Sequence, residues 1–343
     1  MLIDLSPLSL AALAAIFVGS GLVIVLAGSR LAKTADRIAD QTGLGEALSG
    51  AVFLGASTSL PGIVLSGVSA GFGHADLAIS NAIGGIAAQT AFLAIADIAY
   101  RRANLEHAAA SLTNLTQGSL LVVLLAIPLI AMAAGPYDVV GVSPFSIALI
   151  AVYVFGVRVS SAVQQEPLWE PSETPETRED VPDAAEQQHG HVKRTWLELA
   201  LSALFAGSAG VVLAEAAVEI AAKTGLTETA VGTFMTAITT SLPELVTSIA
   251  AVRQGALTLA VGGIIGGNAF DVLFLAVADL AYRDGSIYAA MSADHVLTVA
   301  LTIAMTGTLL LGLLTRQTYG LWGIGFESVT ILALYAGAFV FLI

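Results

Sequence analysis

The sequence predicts an all-α integral membrane protein of about ten transmembrane helices in two inverted five-helix repeats. Three observations lead there: a composition too apolar for water, a sorting of basic residues by loop, and an ungapped internal repeat. Hydrophobic residues make up 56% of the 343 residues and charged residues 11%, against about 25% charged in a soluble domain. Apolar stretches long enough to cross about 30 Å of hydrocarbon as helices recur along the whole chain. A barrel, the other spanning solution, needs short alternating strands, and the sequence has none.

Ten spans follow in order, at about 8–28, 46–71, 75–100, 109–133, 142–163, 196–220, 228–252, 257–282, 292–313 and 322–343. The first is preceded only by Asp4 and followed by Arg30, Lys33 and Arg37, so it reads as a retained helix and not a cleaved signal. With the N-terminus outside, eleven of the thirteen Lys and Arg fall on inner loops, and only Lys223 and Arg283 fall outside. That is the positive-inside pattern. It places both termini outside, an even number of spans between them, and the central linker in the cytoplasm. Short loops and the lack of targeting segments suggest a prokaryotic plasma membrane.

The domain plan is a first membrane half at 1–163, a linker at 164–195 and a second membrane half at 196–343. Eight acids stand between Gln164 and Val192 against a single base, Arg178, together with four prolines. Such a stretch buries too little apolar surface to fold alone, and a disordered solvated linker is the expected reading. There is no cysteine, which excludes disulfides and thiolate metal sites.

Placing Pro61 on Pro243, an offset of 182, aligns residues 42–101 with 224–283 without a gap, and 26 of the 60 pairs are identical. Thr58-Ser59-Leu60-Pro61 lies on Thr240-Ser241-Leu242-Pro243, Gly84-Gly85 on Gly266-Gly267, and Asp97 on Asp279. Five spans separate the copies, so they face the membrane in opposite directions. Secondary transporters are commonly built this way, with the site near the midplane between the repeats.

Within each copy a mid-span proline cannot donate to the carbonyl four residues back. The carbonyls of Ser57 and Thr239 are therefore expected to be free for a dehydrated cation, with the hydroxyls of Thr58, Ser59, Thr240 and Ser241 on the same turn. Glu244 follows Pro243 in mid-span, and Asp271 is a second deep acid. Intramembrane acids are costly and mark functional sites by default.

These motifs resemble the sodium/calcium exchanger superfamily, whose two α-repeats each carry a Gly-Thr-Ser-x-Pro-Glu-like and then a Gly-Ser-Asn-like stretch. The second copy reads Ala237-Ile238-Thr239-Thr240-Ser241-Leu242-Pro243-Glu244 and then Gly266-Gly267-Asn268-Ala269-Phe270-Asp271. The first departs from the pattern: Gly62 replaces the glutamate, and Gln89 stands where the second copy has Asp271. The resemblance implies cation exchange and not an enzyme, with Glu244, Asp271, the four hydroxyls, Gln89 and the Ser57 and Thr239 carbonyls as ligands. Asn81 is expected to add an amide oxygen. Hard oxygen without His or Cys favours Ca²⁺ over zinc or copper. Two carboxylates match one divalent or two monovalent cations.

The leading reading is an alternating-access antiporter exchanging Ca²⁺ against Na⁺ or H⁺. The alternatives are another cation (a monovalent ion against H⁺, Mg²⁺ or Mn²⁺) or a transport-inactive relative acting as a sensor or scaffold. The partners implied are inorganic cations and the bilayer, with no resident cofactor and no nucleic acid. Glu46 and Glu228 are expected at helix starts, Asp97 and Asp279 near headgroups, and Glu215 and Glu219 at an outer interface. The five histidines fall in loops or at span ends.

Overall fold

The computed structural model describes residues 3–42, 51–100, 104–135, 137, 141–167, 169, 171–172, 192–254, 257–318, 320 and 324–342. The first half holds α1 (Leu10–Thr42), α2 (Ala51–Thr58), α3 (Leu60–Gly71), α4 (Ala75–Ala99), α5 (Leu105–Ala109), α6 (Leu112–Ala134) and α7 (Pro144–Gln165). The second opens with α8 (Val192–Thr224), then α9 (Glu228–Ala230), a π-helical turn (Val231–Thr236), α10 (Ala237–Thr240) and α11 (Leu242–Gln254). It closes with α12 (Leu257–Asp271), α13 (Phe274–Ala281), a 3₁₀ turn (Ile287–Ala290), α14 (Ala293–Thr315) and α15 (Phe326–Leu342).

Among the described residues seven helices are long and apolar enough to cross a membrane. Residues 228–240 and 242–253, bent by 45°, form a broken eighth, and Leu60–Gly71 and Phe326–Leu342 are shorter apolar helices. These occupy the ten expected places. The offset of 182 reaches beyond the aligned segment, because α8 begins and ends 182 residues after α1.

Which face of each helix meets lipid follows from what it exposes. On α1, Val18, Leu22 and Leu26 are exposed while Leu13, Ile24 and Leu31 are buried. Outward apolar residues on a water-soluble protein would invite aggregation, but in a bilayer they face their own solvent. α4 is the opposite case. Nearly all of it is buried, so it runs through the centre of the molecule with α12 and α13 beside it.

Proline explains the breaks before the site. The helix stops at Ser59 and at Ser241, and α3 and α11 restart one residue ahead of Pro61 and Pro243, early positions where a missing N–H costs nothing. Close packing at these kinks needs glycine. A Cβ at Gly28 on α1 would meet Pro243 at 2.5 Å, and one at Gly210 on α8 would meet the Pro61 carbonyl oxygen at 2.7 Å. Gly28 and Gly210 again differ by 182, so each long helix crosses the other half's kink.

Four expectations need correcting. Asp97 and Asp279 are 2% and 0% exposed, and both carboxylates are saturated with protein donors and not solvated by headgroups. Glu215 is buried too, so it is no interfacial acid. α1 continues through Arg30, Lys33 and Arg37, which therefore ride on a helix and not on a loop. Span eight is broken after Asp271, where the sequence suggested one helix. Glu228 does open α9, with Thr227 accepting from the Ala230 N–H. Glu46, Arg101, Arg102 and linker residues 173–191 lie outside the described residues.

Candidate functional site

The two proline breaks and the break after Asp271 converge on α4. Between them lies a small cavity, about 10 Å³ of room for the centre of a water molecule, lined by Ser59, Gly62, Asn81, Gly85, Gln89, Thr240, Ser241, Glu244, Asp271 and Phe274. That suffices for one water or one bare ion. Seven of the ten expected ligands line it.

Glu244 reaches the cavity from the first turn of α11, where the N-terminal end of a helix favours negative charge. The break at Ser241 means that Thr240, Ser241 and Glu244 do not share one continuous helical face, yet all three side chains reach the cavity. Glu244 is 7% exposed and Asp271 2%. Thr58, outside the cavity lining, donates to Gly55 O at 3.1 Å and also hydrogen-bonds the Glu244 carboxylate.

The hydrogen bonds follow the repeat. The Ser59 hydroxyl donates to Asp271 Oδ1 at 2.5 Å, and the Gln89 amide donates to Asp271 Oδ2 at 2.6 Å. The same amide lies 3.3 Å from the Ser241 hydroxyl oxygen. Each serine thus meets the Gln89/Asp271 position of the opposite half. Asn81 spends its NH₂ on Ser66 Oγ (2.9 Å) and Gly62 O (3.3 Å), while its Oδ1 accepts from Thr240 at 3.4 Å. Its amide oxygen does therefore point into the site.

Two oxygens remain without a donor: Glu244 Oε2 and Gln89 Oε1. A buried acceptor without a partner is expensive. A cation supplies what these two lack. Among the described residues no group of three or more His, Cys, Asp or Glu has metal-holding geometry, so the donor set is two carboxylates with amide and hydroxyl oxygens.

Two expected ligands are not brought in. The Thr239 hydroxyl bonds Met235 O at 2.7 Å, its methyl faces Gly21 on α1, and its carbonyl receives the Ser241 N–H. The proline vacates that carbonyl, but the C-cap serine fills it. Ser57 does not line the cavity.

Phe274 was not foreseen. A Cβ on Gly62 would meet Phe274 Cε2 at 2.6 Å, so the ring occupies the room that a first-half glutamate would enter. The only sequence signal was its match to Phe92 in the repeat, which reads equally well as packing.

The sodium/calcium exchanger protein family matches residues 12–162 and 195–343. A putative antiporter, CaxA of Alkalimonas amylolytica, is 29% identical over 301 residues, covering 85% of this chain and 88% of its own. The sodium-calcium exchanger NCX_Mj superposes with a TM-score of 0.61 at 21% identity, covering 98% of this chain and all of its own. The H⁺/Ca²⁺ exchanger CAX gives 0.67 at 15% identity, covering 96% and 86%. These two likenesses are of fold.

Proposed function

Because this chain belongs to the sodium/calcium exchanger protein family, and so is an integral membrane transporter and not an enzyme, we propose that it is a secondary active cation antiporter. Its cargo is Ca²⁺, exchanged against Na⁺ or H⁺ by alternating access. The observation that carries this is the pairing of two buried carboxylates, Glu244 and Asp271, with undonated Glu244 Oε2 and Gln89 Oε1 in one cavity. Names of similar proteins, a sodium-calcium exchanger and an H⁺/Ca²⁺ exchanger, support the same ions. Both termini lie outside and the linker in the cytoplasm of a prokaryotic plasma membrane, on the Lys/Arg sorting and on a bacterial relative.

A second reading has its own observation. Asp271 already accepts two short hydrogen bonds, and Phe274 blocks a first-half carboxylate. The cavity then offers little more than one free carboxylate oxygen, which suits a monovalent cation exchanged against H⁺. In either reading no more than two monovalent charges move per divalent.

The test is radiotracer Ca²⁺ uptake into proteoliposomes with an outward Na⁺ gradient, repeated with Glu244→Gln. Gradient-dependent uptake that vanishes in the variant supports sodium/calcium exchange. Folded wild type that takes up no Ca²⁺ under Na⁺ or H⁺ gradients, but moves labelled Na⁺ or K⁺ against H⁺, supports the second reading. A reversal potential requiring three monovalents per divalent contradicts both.

A further inference from the structure

A second set of buried acids lies away from the cavity. Asp97 near the end of α4, Glu106 on α5 and Glu327 in the first turn of α15 are 2%, 1% and 1% exposed. The repeat separates their roles. Asp97 Oδ1 accepts the Leu105 N–H at 2.7 Å, and Oδ2 accepts the Ser328 hydroxyl at 2.8 Å. Asp279 accepts the Ile287 N–H at 3.0 Å and the Ser146 hydroxyl at 2.8 Å. Each of these residues stands 182 positions from its counterpart. Both aspartates therefore do one structural task, fastening a connecting segment and the last helix of a half to the central helix.

The same offset pairs Glu106 with Tyr288 and Glu327 with Phe145. In one place Phe145 and Tyr288 meet edge to face, with ring centres 6.4 Å apart, and the tyrosine hydroxyl lies 3.0 Å from Ser146 Oγ. In the other place two carboxyl groups face each other within hydrogen-bonding reach. An aromatic pair satisfies the fold at this position, so packing does not require the acids.

Both oxygens of Glu106 and Oε2 of Glu327 have no donor among the described residues. Glu327 is tightly enclosed, since a Cβ on Gly312 would come within 2.8 Å of its Cγ. The nearby cation is engaged elsewhere: Arg316, at the end of α14, bonds the carbonyls of His107 and Ser172. α12, which also packs on α5, carries no charge before Asp271. His107, on α5 itself, has Nδ1 2.7 Å from Arg316 O. Two ionised carboxylates facing each other here would repel, and one proton turns them into donor and acceptor. A metal ion fits less well, because Asp97 is already saturated and the described residues hold no three-acid group with metal geometry. Glu106 lies on the short helix between two spans, and burial, then the charges of Asp97 and Glu327, push its carboxyl well above the usual range.

We infer that Glu106 and Glu327 form a second buried proton-binding site, which holds one proton between two carboxyl groups on the face where the linker meets the helices. It is separate from the Glu244/Asp271 cavity and stands whatever ion that cavity carries. Release of the proton puts like charges beside Asp97 and loosens α5 and α15 on α4, the helix that presents Asn81 and Gln89 to the cavity.

Infrared difference spectroscopy on the full chain in lipid nanodiscs, titrated with pH, reads protonated carboxyl bands directly. The wild type is expected to lose one such band on alkalinisation. The double variant Glu106→Tyr/Glu327→Phe carries the other half's own pair, so it keeps the packing and should lack that band; Glu244→Gln should retain it. Transport by the double variant should lose one step from its pH profile. If the double variant folds poorly, Glu106→Gln, close in shape to a protonated glutamate, should remove the band while leaving the melting temperature near wild type. A band that persists in both variants overturns the site. So does the loss of one equivalent of bound Na⁺ or Ca²⁺ in place of a proton.

Discussion

The amide nitrogen of Gln89 lies 2.6 Å from Asp271 Oδ2, and the two residues are each other's counterparts, 182 positions apart. The bond crosses from one repeat to the other at the centre of the cavity. A symmetric pair of aspartates there would repel. Glutamine turns that repulsion into a donor–acceptor bond, at the cost of one charge in the site.

Gln89→Leu should leave Asp271 Oδ2 without its donor. A buried acceptor so exposed costs about 1–3 kcal/mol. A lower melting temperature in detergent, together with weaker cation binding by isothermal calorimetry, is the expected result. An unchanged melting temperature would mean that the bond contributes little. Gln89→Glu should instead make transport pH-dependent, because a proton must then bridge two facing carboxyls.

Gly62→Glu should destabilise the protein by about 1–3 kcal/mol, since its Cβ enters the Phe274 ring. Combined with Phe274→Ala the cost should fall, and the cavity gains a third carboxylate. Competition between labelled Ca²⁺ and Na⁺ should then shift towards the divalent. If the double variant is as unstable as Gly62→Glu alone, Phe274 is not what fills the vacated place.

Glu244→Gln should reduce cation affinity about a hundredfold, the equivalent of losing about 2.7 kcal/mol, with little change in melting temperature. The amide keeps the size of the side chain and the acceptor that Thr58 needs, and removes only the charge. Binding assays in nanodiscs would show it. Affinity unchanged in the variant would move the cation away from this carboxylate.

His74 and Glu228 form a cross-repeat pair outside the spans, with Nδ1 2.7 Å from Oε1. The hydrogen bond to Glu228 raises the His74 pKa above its ordinary 6.5, against an opposing effect of burial. The stability it contributes is therefore complete below the unfolded value and is lost as pH rises through the raised folded value. The melting temperature should decline across that window in the wild type, and the decline should be shallower in Glu228→Gln. Equal slopes would show that the pair does not couple to folding.

The membrane class, the ten helical segments, the two halves and most of the site were legible in the sequence. Hydropathy over about twenty residues and an ungapped repeat are local or linear signals, and neither needs a fold to be read. Glu244 and Asp271 stood out because an acid deep in an apolar span has few structural reasons to be there. Only the tertiary structure decided what each polar residue faces. Thr239 and Thr240 are neighbours of one type, yet one hydroxyl is turned back towards α1 and the other lines the cavity. Asp97 and Asp279 looked like headgroup residues because position along the chain does not reveal which loop folds back over a helix end. Phe274 against Gly62, and Glu106 against Glu327, are contacts between segments far apart in the chain. No periodicity encodes such pairs. They arise when two copies of one pattern pack against each other, and the places where the copies differ become visible only once they are superposed in space.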